Sequence, residues 1–408
     1  MSKRIGLITL FSVWIILGQA QETFSYPEAD RQSYALFQQQ KWKELIDFSE
    51  QVRAQGIDFF YLQVRTGIAW YNLSKYRKAS RWFLKAWEND QTFEWLQEYL
   101  YYSLSYGGRK AEASKIAAEF SVAVKEKINF ESMKPLSAAF EVGYSFNPDI
   151  DQLINSHFDE QLNVGEDYGE AFFFKNYHFE SLEYSHQLGP GFGLNHNFTH
   201  IGISRDEQVY WGERNLFSIK AKQFNYYISP WFVLGKKWYF SPSMNVIWGN
   251  SDLVLGNFDP NTFYSSGSNY SDFIFSGSTW SHFGNFSPGA EINLANISDE
   301  KFSQFSGWVT WYPLSNLSLY ITPRVYFKNS SNNPFSFNTF GLSGGAQLGP
   351  LHVYGQYLKG DMENFIEASG FVIANFPGTS GEKFTGSLYI PAGKNLQFVV
   401  RYITQDIT

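Results

Sequence analysis

From position 136 to the C-terminus the chain repeats one unit: a run of roughly ten residues in which apolar and polar positions alternate, closed by a Gly, Pro or Asn turn. In 316–328, Leu317, Leu319, Ile321, Val325 and Phe327 share one parity, and Ser318, Thr322, Arg324 and Lys328 the other. Successive side chains of a strand point to opposite faces, so this stretch predicts a strand with one apolar and one polar face. Aromatics recur throughout and no long apolar run breaks the alternation. That is the pattern of a transmembrane β-barrel, whose strands turn alternate side chains to lipid and to the lumen. A soluble sandwich would alternate too, and the N-terminus separates the two.

Thirteen strands are legible. Short connections at 189–191, 235–237, 285–289, 314–316, 349–350 and 392–394 alternate with longer ones at 147–176, 204–221, 250–270, 297–302, 329–337 and 361–382. In bacterial barrels the short turns are periplasmic and the longer loops external. Parity then places Glu141, Arg324, Lys328, His352, Gln356, Gln397 and Arg401 in the lumen. A first strand rising from the periplasm makes the thirteenth, 395–404, end outside, although single-chain bacterial barrels almost always have an even count. The expectation is therefore a barrel of about 12–14 strands over 136–408, possessing twelve or fourteen or lacking its closing strand.

Ahead of this region the period changes to that of a helix. In 61–88, Gly67, Trp70, Tyr76, Ala79, Phe83 and Ala86 fall where a tetratricopeptide (TPR) repeat of about 34 residues places its small and aromatic packing positions. Stepping by the same interval groups Leu36 with Trp70 and Leu104, Trp42 with Tyr76, and Ala79 with Ala113. Residues 27–127 thus read as a minimal TPR-like α-solenoid, one clear repeat between two degenerate ones. The fold class is α+β in two domains, with the solenoid below an antiparallel transmembrane β-barrel.

The N-terminus fits that placement. Lys3 and Arg4, an apolar run over 5–17 and Gly18-Gln19-Ala20 read as a signal peptide over 1–20, with the mature chain starting at Gln21. No later stretch approaches the roughly 18 apolar residues of a spanning helix. With no cysteine in the chain, disulfides, lipoprotein acylation and thiolate metal chemistry are excluded. A formal charge of −7 gives no electrostatic reason for nucleic acid binding.

On the repeat residues Gly67, Trp70, Tyr76, Ala79, Phe83 and Ala86, the stretches 139–146 and 177–192, and the order of the domains, the chain resembles TPR-linked outer-membrane β-barrel proteins and, more loosely, the YaiO-type outer-membrane family. The resemblance implies a Gram-negative outer membrane with the TPR domain in the periplasm. It implies a protein partner docked by that domain, a role in export, assembly or transport, and no catalytic motif or cofactor.

The residues point the same way when searched for chemistry. His196 and His200, four apart in a strand, lie about 13 Å from each other and cannot share an ion unaided. Ser185 with His186, and Ser281 with His282, are strand neighbours pointing to opposite faces. Gly341-Leu342-Ser343-Gly344-Gly345 matches GxSxG, yet lies inside a strand where no nucleophile elbow forms. The acidic connection after the first strand, with Asp149 and Asp151 as a weak calcium pair, carries Ile150, Leu153, Ile154, Phe158 and Leu162 near helical spacing; it reads either as an acidic surface loop or as an amphipathic turn of helix folded over or into the barrel mouth as a plug. The non-enzymatic reading is therefore taken, the alternative being an outer-membrane enzyme acting on lipid or glycan.

Overall fold

The computed structural model describes residues 23–164, 168–211, 213–258, 261–297, 300–330, 336–362, 364–374 and 381–406. The expected signal segment lies outside them. Three helical hairpins come first: α1 (Tyr26–Gln38) with α2 (Trp42–Ala54), α3 (Phe60–Asn72) with α4 (Tyr76–Asn89), and α5 (Glu94–Tyr106) with α6 (Lys110–Ala117), followed by α7 (Val122–Lys127). The first helices of the hairpins start 34 residues apart, and so do the second helices. The turns repeat as well, since Gln40, Ser74 and Gly108 all have positive φ.

The packing explains the repeat residues. A Cβ built on Gly67 would stand 2.6 Å from the Phe83 ring, so only glycine lets α3 and α4 close around that ring. Ala79, Phe83 and Ala86 are fully buried, in one core with Leu96, Leu100, Leu104 and Ala113. Trp70 and Tyr76 are half-buried at its margin. Tyr76 bridges the rings of Tyr71 and Tyr106 at 5.2 and 5.1 Å.

The rest is one antiparallel sheet in chain order, each strand bonded to the next: β1 (Lys134–Phe146), β2 (Tyr168–Gly189), β3 (Phe192–Trp211), β4 (Glu213–Leu234), β5 (Trp238–Phe258), β6 (Asn261–Ser281), β7 (Phe286–Ile297), β8 (Glu300–Trp311), β9 (Leu319–Ser330), β10 (Ser336–Leu348), β11 (Leu351–Gly360), β14 (Glu382–Pro391) and β15 (Gln397–Gln405). A two-stranded hairpin, β12 (Phe365–Glu367) with β13 (Val372–Ala374), stands apart from it, and α8 (Ile150–Val164) occupies the first long connection. The inner face carries buried polar groups such as Ser181, Asn197, Asn245, Asn293 and Gln304, while Leu182, Phe198, Phe273, Leu294 and Leu342 are exposed on the outer one.

Two expectations are corrected. The segments 204–221 and 250–270 are largely strand, because β2 to β6 run 20 to 22 residues. Their outer ends mix apolar and polar residues on each face, as Leu253, Val254 and Leu255 beside Asp252 in β5, so alternation vanishes although the backbone ladder continues. On the other side β9 begins only at Leu319. Leu317 lies in the preceding turn and packs on the helical domain at Gly108.

The sheet is not closed. Strand alternation over thirteen members leaves β1 and β15 running in the same direction, and among the described residues no ladder joins them. Arg401 of β15 nevertheless reaches Glu141 of β1 at 2.9 Å. Lacking a neighbour on one side, Phe140, Tyr144 and Tyr402 are about two-thirds exposed, at 70%, 67% and 65%.

Gly67→Leu should overpack the α3–α4 contact and destabilise the helical domain by roughly 1–3 kcal/mol. Limited proteolysis would show faster cutting within 23–127, with the heat-modifiable gel shift of the barrel retained. Unchanged proteolysis would show that the close approach carries no energetic weight.

Candidate functional site: a helical cap and an internal plug

Two places concentrate unusual groups, and both involve the barrel. The first is where the helical domain meets the short turns. Helix α4 begins after Lys75, whose side chain caps nothing, so its first N–H groups have no local acceptor. Ser315, in the turn between β8 and β9, supplies both missing acceptors. Its carbonyl accepts the Arg77 N–H at 2.9 Å and its Oγ accepts the Lys78 N–H at 3.1 Å. Ser315 has φ of +58° and is 1% exposed, a strained conformation held where it terminates another element's helix.

Arg77 then runs into the barrel. Its guanidinium donates to the carbonyl of Gly284 at 2.8 Å, to that of Gly107 at 3.0 Å and to Ser287 Oγ at 2.9 Å, and lies 4.0 Å over the Tyr312 ring. It is 2% exposed. Burial pushes its pKa down to about 10, so the charge persists at neutral pH. Around it lie the buried Arg109–Glu112 ion pair and His282, whose Nδ1 is 2.6 Å from Ser287 Oγ. Burial, with Arg77 and Arg109 beside it, depresses His282 to about 3 and leaves the imidazole neutral. Ser287 Oγ accepts from Arg77 and shares a hydrogen bond with Nδ1 of the neutral His282. Further contacts spread along the rim. Lys115 donates to the carbonyl of Val233 at 2.6 Å, Lys236 pairs with Glu88 at 3.5 Å, and Asn316 donates to the carbonyl of Ser74 at 3.0 Å.

Ser287, His282 and Glu112 have the residue types of a hydrolytic triad. Ser287 is 4% exposed and already engaged by Arg77, and His282 Nε2 stands 3.7 Å from Glu112. Ser287 is thus sealed between the helical domain and the barrel, and the three groups join the cap to the barrel. The other chemical candidates do not assemble. Ser343 of the GxSxG match is opposite Gln356 inside β10, and His196 bonds Tyr226 at 2.8 Å, away from His200. Asp149 and Asp151 sit at the start of α8.

The second place is the barrel interior. The amphipathic helix appears as α8, with Ile150 and Ile154 buried, but its rings meet the upper ends of the wall: His157 against Phe173 and Phe158 against Tyr210. The plug is instead the β12–β13 hairpin from the last long connection. Gln304 of β8 serves as its strand partner, the side-chain amide donating to the Ile366 carbonyl at 2.5 Å and accepting the Ile366 N–H at 3.1 Å. Ser243 and Asn245 donate to the carbonyls of Ser369 and Gly370, and Ser369 donates to Glu291. Glu367 forms a buried ion pair with Lys383. Phe365 packs on Tyr326 at 4.7 Å, and Ile366 joins Ile247, Ile274 and Ile297. At the tip Gly370 has φ of +84°, and a Cβ there would meet Ser276 Oγ at 2.8 Å.

Five of the seven lumen candidates fall into two groups. Arg324 pairs with Glu291 at 3.8 Å over the Trp308 ring, and Lys328 with Glu300 at 3.9 Å, both beside the plug. Glu141, Arg401 and Gln397 line a cavity of about 1990 Å3 along the unclosed seam. His352 stacks on Tyr320 at 5.9 Å, and Gln356 lies in register between Ser343 and Thr385. Sequence reasoning missed Arg77, Ser315 and the plug residues. The only signal was the apolar pattern of 365–374 inside a loop.

No family model matches the chain, and no curated protein matches it. Among solved structures it is similar to the β domain of the Bordetella autotransporter Brka, at 12% identity and a TM-score of 0.30 over 56% of this chain and 91% of that one. It is also similar to the translocator domain of the autotransporter NalP from Neisseria meningitidis, at 9% identity and a TM-score of 0.25 over 63% and 92%.

Arg77→Met should loosen the cap, at about 1–3 kcal/mol for each acceptor left buried without a donor. Protease should release the helical domain from the purified variant while the barrel keeps its gel shift; a cap as resistant as wild type would contradict the assignment. Deleting 364–374 should leave a folded barrel with conductance well above that of the intact protein in planar bilayers. Equal conductance would mean the hairpin does not limit passage.

Proposed function

We propose that this chain is an outer-membrane β-barrel whose helical domain lies in the periplasm as a TPR-like docking module, acting as a non-enzymatic component of export, assembly or transport. The apolar outer face and polar inner face of the sheet support insertion in a membrane. The 34-residue recurrence of the hairpins and their turns supports the TPR-like reading.

One observation carries the docking role. The second helices of the second and third hairpins face the barrel through Arg77, Lys78 and Glu88 on α4 and Glu112 and Lys115 on α6. The first helices instead expose aromatics: Tyr26 and Tyr34 on α1, Tyr61 on α3, Trp95 and Tyr106 on α5. Tyrosine and tryptophan dominate the anchors of protein interfaces because they bury large rigid area at small entropic cost. A rigid aromatic face, held under a plugged barrel, suits capture of a periplasmic or outer-membrane protein. The sealed state of Ser287 removes the observation that would favour an enzyme.

The test is site-specific photocrosslinking in intact cells. The protein should fractionate with outer membranes, and a benzophenone at Tyr61 or Trp95 should give a discrete protein adduct absent from the exposed Glu50 of α2. Recovery as soluble protein contradicts the membrane reading, and no adduct from either aromatic site contradicts docking.

A further inference from the structure

The outer surface of β2 and β3 carries ionisable side chains where lipid-facing residues would stand. Register aligns Leu182, Phe198, Tyr226 and Val246 in one row across β2 to β5. The next row, toward the long-connection end, is Glu180, His200, Phe224 and Trp248, and the one beyond is His178, Gly202, Lys222 and Asn250. The surface thus changes from aromatic to polar within these rows, which is where the wall leaves the apolar belt. Ionisable groups beside such a belt are costly and mark functional sites.

Geometry draws three of them together. Glu180 and His200 are directly opposite, with Oε2 and Nδ1 2.8 Å apart. Gly202 offers no side chain opposite His178, and a Cβ there would stand 2.3 Å from the His178 ring. The imidazole therefore lies across the gap, its centroid 6.0 Å from that of His200. One ligand atom from each of His178, Glu180 and His200 falls within 4.8 Å of the others. Four-apart residues on one strand could not do this; adjacent strands can.

We propose that His178, Glu180 and His200 bind a divalent first-row transition metal of the zinc class on the barrel's outer surface, at the boundary of the apolar belt. Two imidazole nitrogens and one carboxylate oxygen supply three positions of a tetrahedron and leave the fourth to water. Imidazole donors select such ions over calcium and magnesium, which take oxygen ligands. The bound ion neutralises a carboxylate beside aromatic rings. Lys222, in register with Gly202, is exposed to solvent.

The test uses the full chain without a polyhistidine tag, in detergent micelles, stripped with chelator and titrated with Zn2+ against a chromophoric chelator. One equivalent should bind per chain. His200→Ala and Glu180→Gln should each weaken it by roughly tenfold or more, while His186→Ala with His196→Ala, a stacked pair with no carboxylate between them, leaves it unchanged. Cobalt in place of zinc should give the visible bands of a tetrahedral site, lost in His178→Ala. The gel shift establishes that each variant is folded; if His200→Ala fails it, Gly202→Val, which displaces the His178 ring, takes its place. No stoichiometric binding by wild type, or binding undiminished in the folded variants, overturns the proposal.

Discussion

The N-terminus of an α-helix presents N–H groups that its own backbone cannot satisfy. In α4 those groups and the guanidinium of Arg77 find acceptors in the barrel, Ser315, Gly284 and Ser287, beside the single helical-domain carbonyl of Gly107. Separating the halves would return Arg77 to water but strip the α4 N-terminus of its cap. Together these contacts make the helical domain and the sheet one structure, and they fix which helices face the barrel and which face outward. The aromatics of α1, α3 and α5 stay exposed because α4 and α6 are the helices turned to the barrel.

The interior follows similar logic with a different donor set. A hairpin inside a barrel needs partners for its backbone groups, and Gln304, Ser243 and Asn245 provide them from inward positions of the wall. Their neighbours Glu291, Glu300, Arg324 and Lys328 neutralise one another around the hairpin. Polar residues that look like channel lining therefore act as the seat of the plug. The open volume is left on the other side, along the seam where Arg401 reaches Glu141.

Strand number, strand parity and the helical repeat were legible because each rests on a short period: two residues for Ile321 beside Thr322, and the recurring spacing that aligns Trp70 with Leu36 and Leu104, and Ala79 with Ala113. What was illegible depends on contacts distant in sequence. Ser315 looks like any turn residue until α4 stands over it, and Arg77 like any exposed helical cation. The outer ends of β3 and β5 mix polar and apolar residues without alternation, so only their ladders identify them as strand. His178 and His200 meet because Gly202 is small and two strands are in register, which periodicity along one strand does not encode.

The rigid union of cap and barrel is tested most directly in a chain that contains no native cysteine. Glu88→Cys with Lys236→Cys places two thiols where a 3.5 Å ion pair stands between α4 and the turn joining β4 to β5. A short bismaleimide added to intact cells should link them nearly completely, closing a loop seen as altered gel mobility, while Glu50→Cys with Lys236→Cys stays unlinked. Equal, partial linking of both pairs would mean that the helical domain swings freely beneath the barrel and would contradict the account.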